Sequence, residues 1–352
     1  MWRPTLIGKL RLFLLTNGLW AQIAGGWSYD FMRLPPSARS AALGGLAYGG
    51  PWIEPAAPFL NPALLRPTYH NRLSLSFQPY LADISHATLT YARQWEGVGT
   101  FWSGLQYLNY GTLRAADEVG NLLGTFQAHE GVWAAGAMRS FGRWQAGMNL
   151  KLPFSAITIE RYRRIGLGAD VGILYEDTAR GFSATLVLWS LGTELYRPAG
   201  RPFAQPFPTQ IQATISYKLP HAPFRLHLGT IHLERWRLAA NDPLQPVQYD
   251  ITGNPIPPPP PRWTEHLLRH LIGAVEIEFS RAFVGRFSYH FQRRRELSPR
   301  GATALGGVNF GVGLHLKKWG FDYAYTLFFR QASAHTFTLW ISPFRSPSHG
   351  GS

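Results

Sequence analysis

The chain has no cysteine and no long apolar run. Because the 352 residues include no cysteine, the chain can form neither a disulfide nor a thiolate metal site. A transmembrane helix needs about 20 consecutive, mostly apolar residues, and the mean hydropathy of −0.11 excludes a polytopic helical membrane protein. Only 15% of the residues are charged, whereas 45% are hydrophobic and 14% aromatic. A membrane β-barrel, apolar outside and polar inside, accounts for this combination.

Apolar residues recur at every second position in roughly fourteen segments between residues 71 and 341, which is the period of a half-buried strand. In 207–219, Ile211 and Ile215 share one face, whereas Gln212 and Thr214 share the other. The same split marks 164–176, 303–316 and 319–329. Segments 224–238 and 264–280 are longer than a bilayer requires, so we expect them to be strands that project beyond it.

The connections between these segments alternate in length. The short ones lie at 94–97, 142–143, 177–180, 220–223, 281–282 and 317–320. The long ones run through 111–122, 156–163, 192–206, 239–263 and 293–302. Outer-membrane barrels have short periplasmic turns and longer extracellular loops. The pattern therefore predicts an all-β fold, a transmembrane antiparallel β-barrel of about 14 strands over 71–344, in the outer membrane, with the long loops on the extracellular side.

Residues 22–70 lack this alternation and are rich in small residues and proline. Side chains alone do not fill the lumen of a barrel of this size, so we interpret the segment as an N-terminal plug; the alternative is a flexible periplasmic arm. The positions that we expect to be structurally special are Ser37, Ala38, Arg39, Gly44, Gly45, Asn61, Pro62 and Ala63.

The first residues have the pattern of an export signal. Arg3, Lys9 and Arg11 precede an apolar stretch, and a cleavage site is expected after residue 21 or 24. The signal peptide is accordingly placed at 1–21, with an ordinary N-terminal helix as the alternative. At the other end, 345–352 is predicted to be a short tail.

Several stretches of the first third of the chain resemble a known family. They are Phe31 to Gly45, Asn61-Pro62-Ala63, Asn71 to Phe77 with Tyr80 to Ile84, Gly99 to Gly111, and Asp117 to Phe126. In this order they resemble the PorV/PorQ group of the type IX secretion system of Bacteroidetes, which is similar to the FadL family of fourteen-stranded outer-membrane transporters with an N-terminal plug. The resemblance implies an anchoring role in a surface attachment complex, where such barrels hold a PorZ-like soluble protein, work with other type IX components, and help fix secreted cargo to the cell surface.

The predicted loops carry much of the excess of 34 basic over 20 acidic residues. Arginine pairs well with phosphate, so these loops are expected to meet a partner or lipopolysaccharide, with general solvation as the alternative. Our candidate contacts are Arg197, Arg201, Pro257, Pro259, Arg262, Arg293, Arg294 and Arg295. The proline run 257–261 is stiff and is either a binding arm or a spacer. No nucleic-acid motif accompanies the charge.

Two other functions compete with anchoring. A FadL-like channel for hydrophobic small molecules fits the same architecture, but the predicted lumen faces are rich in Gln, Thr, Ser and Arg, which favours a scaffold. An enzyme would use His227, His232 and Glu234, or His266 and His270. We interpret these residues instead as lumen residues that are held by polar neighbours. We therefore predict no enzyme activity, catalytic residue, cofactor or metal.

Overall fold

The structure is a computed structural model that describes residues 27–52, 54–80, 83–117, 119, 121–158, 162–196, 205–238, 248–249, 252, 254–256, 260–296, 306–329 and 332–342. The predicted signal peptide and the short tail lie outside these residues.

Fourteen antiparallel strands close into one barrel, in which β1 pairs with both β2 and β14 and every other strand pairs with its sequence neighbours. The strands are β1 Arg72–Pro79, β2 Ser85–Trp95, β3 Gly99–Ala116, β4 Leu122–Phe141, β5 Trp144–Ile157, β6 Tyr162–Asp177, β7 Phe182–Tyr196, β8 Gln210–Lys218, β9 Phe224–Thr230, β10 Leu271–Glu278, β11 Phe283–His290, β12 Val308–His315, β13 Trp319–Phe329 and β14 Ala332–Ile341. The predicted fold class is confirmed.

The alternation of side chains sets the two faces of the wall. In β13, Phe321 is 39% exposed and faces outward, whereas its neighbour Asp322 is fully buried in the lumen. In β8, Ile215 and Tyr217 likewise point outward, while Gln212 and Thr214 are buried. Apolar side chains form such an outer face on the other strands as well, which is the lipid-facing surface of a membrane barrel.

The structure corrects the two strands that were predicted to be longest. Residues 264–280 do not form one strand, because Trp263–His270 is an α-helix (α2) that ends where β10 begins. Strand β9 ends at Thr230 rather than near 238, and His232 has a φ of 58° that breaks the extended backbone. The segment 111–122 is also not a loop: β3 and β4 extend through most of it as a hairpin.

The two ends of the barrel differ. The turn end carries the connections at 96–98, 142–143, 178–181, 219–223, 279–282 and 316–318, and the loop end carries the others. Helix α2 and a second helix, α3 (Phe291–Glu296), lie at the loop end beside each other, where Arg269 and Glu296 are 3.4 Å apart. Residues Gln248–Tyr249 and Pro255–Ile256 form a separate two-stranded pair. Among the helices of the described segments, none is long and apolar enough to cross a bilayer.

The described residues from 27 to 70 lie inside the barrel and are called the plug below. The plug contains a short helix, α1 (Ala38–Ala42), and four 3-10 turns: Asp30–Arg33, Ala57–Phe59, Pro62–Leu64 and Pro67–Tyr69. Proline is the first residue of two of these turns and the second residue of Ala57–Phe59, where its fixed φ suits a helical start and its missing N–H costs nothing. Leu43, Leu64 and Leu65 are fully buried against the wall.

Candidate functional site

The candidate functional site is the interface between the plug and the wall, because most of the special positions predicted from the sequence meet there. Ser37 caps helix α1 in a capping box with Ser40, which satisfies backbone N–H groups that the short helix leaves free. The Ser37 hydroxyl also donates to Glu54. The N–H of Ala38 donates to the Thr338 hydroxyl on β14 at 2.8 Å. Helix α1 is thereby fixed to the wall.

Arg39 joins the plug to the wall by a buried two-point ion pair. Its Nε and Nη2 donate to the two carboxylate oxygens of Glu276 on β10, at 3.0 and 3.2 Å. Glu276 also accepts from Arg286 at 3.0 Å, and Arg286 continues the network to Asp322. All four side chains are at least 96% buried. Two cations thus face two anions, so the network is neutral and stays paired out of contact with water.

The Gly44-Gly45 pair ends this helical part of the plug. Both glycines have positive φ, 84° and 94°, which favours residues without a Cβ. A Cβ on Gly44 would lie 2.6 Å from Ile272 on β10. Glycine is therefore required here by both backbone conformation and space.

The Asn61-Pro62-Ala63 motif lies against β5 and β6. The Asn61 side chain accepts a hydrogen bond from the N–H of Ala63 at 3.0 Å, and Pro62 begins the turn. On the wall, Gly147 and Gly172 leave the space into which the motif fits: a Cβ on Gly147 would lie 2.6 Å from the Pro62 carbonyl, and one on Gly172 would overlap the Asn61 amide.

A second polar contact fixes the neighbouring turn. The Phe59 carbonyl accepts from Lys151 Nζ at 3.2 Å and from the Trp189 indole at 3.0 Å, and Lys151 pairs with Asp170 at 2.9 Å. Asn149 donates to the Pro58 carbonyl at 2.7 Å. Strands β5, β6 and β7 thus hold a second part of the plug, three to five strands away from β10 in the barrel.

One acid in the plug lies where its charge is poorly compensated. Burial raises the pKa of the Glu54 carboxyl to about 7, and the charge of Asp322 acts in the same direction. The hydrogen bond from Ser37 and the charges of Arg39 and Arg286 act against the increase. Glu54 is therefore close to half-protonated at neutral pH.

Sequence reasoning missed most of this network. Glu276, Arg286, Asp322 and Lys151 were not singled out, although each is a charged residue at a lumen-facing position between apolar ones in its strand. That alternation was the available signal. Their partners could not be identified in the same way, since Arg39 and Glu276 are 237 positions apart.

The candidate loop contacts fall into three groups. Arg197, Arg201, Pro257 and Pro259 lie outside the described residues. Arg262 is exposed just before α2. In α3, Arg294 and Arg295 line a cavity of about 450 Å³ with Glu265, Leu268, Tyr289 and Phe291. Arg293 instead lies over the Phe328 ring, 5.7 Å from its centroid, and is close to Gly45 of the plug.

The candidate catalytic histidines have structural contacts. His227 bonds to Ser216 at 2.7 Å and to Glu276 at 3.1 Å, a Ser-His-Glu order that resembles a hydrolase triad. Ser216 is only 1% exposed, however, and Glu276 already binds two arginines. The hydroxyl is thus closed to a substrate while the plug is in place.

The other candidate catalytic histidines lie at the loop end. His270 is 2.7 Å from the Ile231 carbonyl, and His232 is 2.9 Å from Glu234; His266 on α2 is partly buried. Over the described ranges, no group of three or more His, Asp or Glu side chains is placed to hold a metal ion.

No protein-family model and no curated protein matches the sequence. Among solved structures, the chain is similar to the Ralstonia pickettii toluene transporter TbuX, with 13% identity and a TM-score of 0.49 over 89% of this chain and 98% of that one. It is also similar to a mutant of the monoaromatic hydrocarbon channel TodX, with 14% identity and a TM-score of 0.49 over 89% and 98%. A Pseudomonas aeruginosa FadL homologue has 10% identity and a TM-score of 0.43 over 87% and 98%.

Such low identities concern the fold alone, and the assignment of the barrel rests on its own strand pairing and outer face. The chain is a plugged, fourteen-stranded β-barrel of the outer-membrane type. Membership of the PorV/PorQ group, and with it the relation to the FadL family, stays a prediction.

Proposed function

We propose that this barrel is a sealed outer-membrane anchor that holds a soluble surface protein at its loop end. The observation that carries the proposal is the fixation of the plug to widely separated strands of the wall, from β14, where Thr338 accepts from the Ala38 N–H, to β7, seven strands away. Arg39 binds Glu276 on β10, and the Phe59 carbonyl accepts from Lys151 and Trp189 on β5 and β7. A plug held in this way closes the lumen to solutes. The function is then carried out at an end of the barrel.

The loop end offers a surface suited to a partner. Arg294 and Arg295 lie beside Tyr289 and Phe291 around the 450 Å³ cavity, and arginine with aromatic residues is the composition enriched at protein interfaces. Together with the resemblance, this surface supports a PorZ-like partner and other type IX components, with the loop end directed outward. Lipopolysaccharide phosphates are a further ligand for the same arginines.

A channel for hydrophobic small molecules is the second candidate. It is favoured by an apolar seam between the plug and strands β2–β7, in which Tyr29 packs on Phe207 at the loop end and Phe59 packs on Trp102 deeper in the lumen, with ring centroids 5.4 and 4.8 Å apart. The seam continues to Leu65 towards the turn end. A hydrophobic molecule passing along it requires movement of the plug.

Locking the plug distinguishes the two functions. A Cβ on Gly49 would lie 2.8 Å from the Cβ of Ser183 on β7, within about 1 Å of the separation in a disulfide. The chain has no other cysteine, so the double variant Gly49→Cys/Ser183→Cys can form one defined cross-link. The two single variants are its controls.

For the anchor, we expect oxidised cells of the double variant to retain surface cargo as the wild type does, and deletion of the gene to release it. Loss of cargo that is reversed by reductant, or unchanged retention after deletion, contradicts the anchor. For the channel, oxidation should lower toluene uptake and reduction should restore it. Uptake that is insensitive to the cross-link contradicts the channel.

A further inference from the structure

A cavity of about 660 Å³ opens where the plug chain leaves the lumen and becomes β1, at the turn end of the barrel. The plug contributes Trp52, Arg66 and Tyr69, and the wall contributes Arg72 and Trp340. Ser280, Arg281 and Leu316, from two short turns, also lie at its edge. The volume lies in the range of small-molecule sites, roughly 300–1,000 Å³. It is separate from the loop-end surface, and nothing in the anchoring function uses it.

The charged groups around this cavity leave two cations without an anion. Arg66 is paired with Glu176 at 2.7 Å. The one carboxylate of the lining, Glu278, already binds Lys218 at 2.5 Å and Arg225 at 3.2 Å. Arg72 and Arg281 have no carboxylate partner among the residues that the structure describes.

Arg72 is held in place by aromatic rings. Its guanidinium lies 4.4 Å from the centroid of the Trp340 ring and 5.2 Å from that of Tyr69. The Trp340 indole fits over Gly320, where a Cβ would lie 2.4 Å from it. Stacking fixes the plane of the guanidinium and leaves its N–H donors for another acceptor. Such a preordered cation costs a ligand little conformational entropy.

Two further polar groups of the lining residues lack partners. Tyr69 and Trp52 are 2% and 8% exposed, and neither the Tyr69 hydroxyl nor the Trp52 indole N–H has a hydrogen-bond partner within the described segments. Buried donors are normally satisfied, and an unsatisfied one costs about 1–3 kcal/mol. Both atoms are closed to solvent, so the ligand contacts of this cavity rest on the arginines.

We propose that this turn-end cavity binds a small organic carboxylate. The carboxylate lies on Arg72, with Arg281 at the rim, and the apolar body lies against Trp52 and Trp340. A single negative charge fits better than a dianion, because Glu278 belongs to the same lining and repels a second one. The aromatic part of the lining favours an organic acid over a bare inorganic anion.

The test uses the detergent-solubilised full chain and 4-fluorobenzoate, observed by fluorine NMR. We expect saturable binding by the wild type. Arg72→Gln should bind at least about tenfold more weakly, which is the loss of affinity expected from one charge-assisted hydrogen bond. Arg281→Gln, at an exposed turn where folding is not at risk, should also weaken binding. The matched control is Arg180→Gln, an exposed arginine on another short turn outside the cavity.

Neutral 4-fluorobenzamide, of the same shape, tests for partition into the micelle. Equal binding of amide and acid, or wild-type affinity in Arg72→Gln, overturns the proposal. Displacement of 4-fluorobenzoate by an equal concentration of inorganic phosphate overturns the organic-acid class. Weak competition by phosphate supports it.

Discussion

Arg39 of the plug and Glu276 of β10 form a two-point ion pair with distances of 3.0 and 3.2 Å, and both side chains are almost completely buried. Because Arg286 shares the same carboxylate, the pair joins the plug to a network in the wall. Removal of one partner from such a pair leaves an uncompensated buried charge.

Arg39→Gln should therefore destabilise the folded barrel by about 3–5 kcal/mol and expose the plug to protease. The measurement is thermal unfolding in detergent together with limited proteolysis. Arg180→Gln, whose side chain is 82% exposed on a turn, should have almost no effect. The double variant Arg39→Gln/Glu276→Gln should lose less stability than the two single variants together. If the loss of stability in the double variant equals the sum of the two single losses, Arg39 and Glu276 are not directly coupled.

Gly147→Val should displace the Asn61-Pro62-Ala63 motif. The added Cβ alone would lie 2.6 Å from the Pro62 carbonyl, and overpacking of this kind typically costs about 1–3 kcal/mol. Gly273→Val on β10 is the matched control, since a Cβ there meets nothing within 4 Å. In Gly147→Val the melting temperature should fall and proteolysis of the plug should become faster, whereas Gly273→Val should behave like the wild type. Equal behaviour argues against a fitted motif.

The fold was predictable because it depends on local alternation. In β13 every second residue is apolar, and the structure places Phe321 outside and Asp322 inside as that pattern requires. The prediction failed at Trp263–His270, which is a helix and not part of a strand. This helix is short, amphipathic and joined directly to β10, so its apolar residues also fit a period of two over part of the helix.

The polar contacts of the plug were much less predictable. The capping residue Ser37 and the glycines at positive φ have local signatures, so the sequence could single them out. The pairing of Arg39 with Glu276 depends on which strand of a closed barrel faces helix α1, and no local pattern contains that information.

Glu54 should make stability depend on pH near neutrality. Its pKa is raised to about 7 from an ordinary value of 4.5, so the folded state binds more protons than the unfolded state between these values. The stability that the protonated carboxyl contributes is complete below about pH 4.5 and is lost as pH rises through about 7. Glu54→Gln should thus gain roughly 3 kcal/mol at about pH 8.5 and almost nothing at about pH 4.5.

The measurement is the unfolding midpoint of the wild type and Glu54→Gln across this range. Glu96→Gln, at an exposed position on a short turn, serves as the control and should follow the wild type. A difference between Glu54→Gln and the wild type that does not change with pH shows that the carboxyl does not titrate in this range.

Reversal of charge at the loop end should weaken the surface partner without disturbing the barrel. Arg294 and Arg295 line the loop-end cavity on α3, away from the plug contacts, so Arg294→Glu/Arg295→Glu should fold normally. Loss of two favourable charges and introduction of two repulsive ones is expected to reduce partner retention at least about tenfold. Surface cargo is measured by fractionation and by protease shaving of intact cells. Lys317→Glu/Lys318→Glu, on an exposed turn at the other end of the barrel, is the matched control, and an equal loss in both double variants excludes a specific role for the α3 arginines.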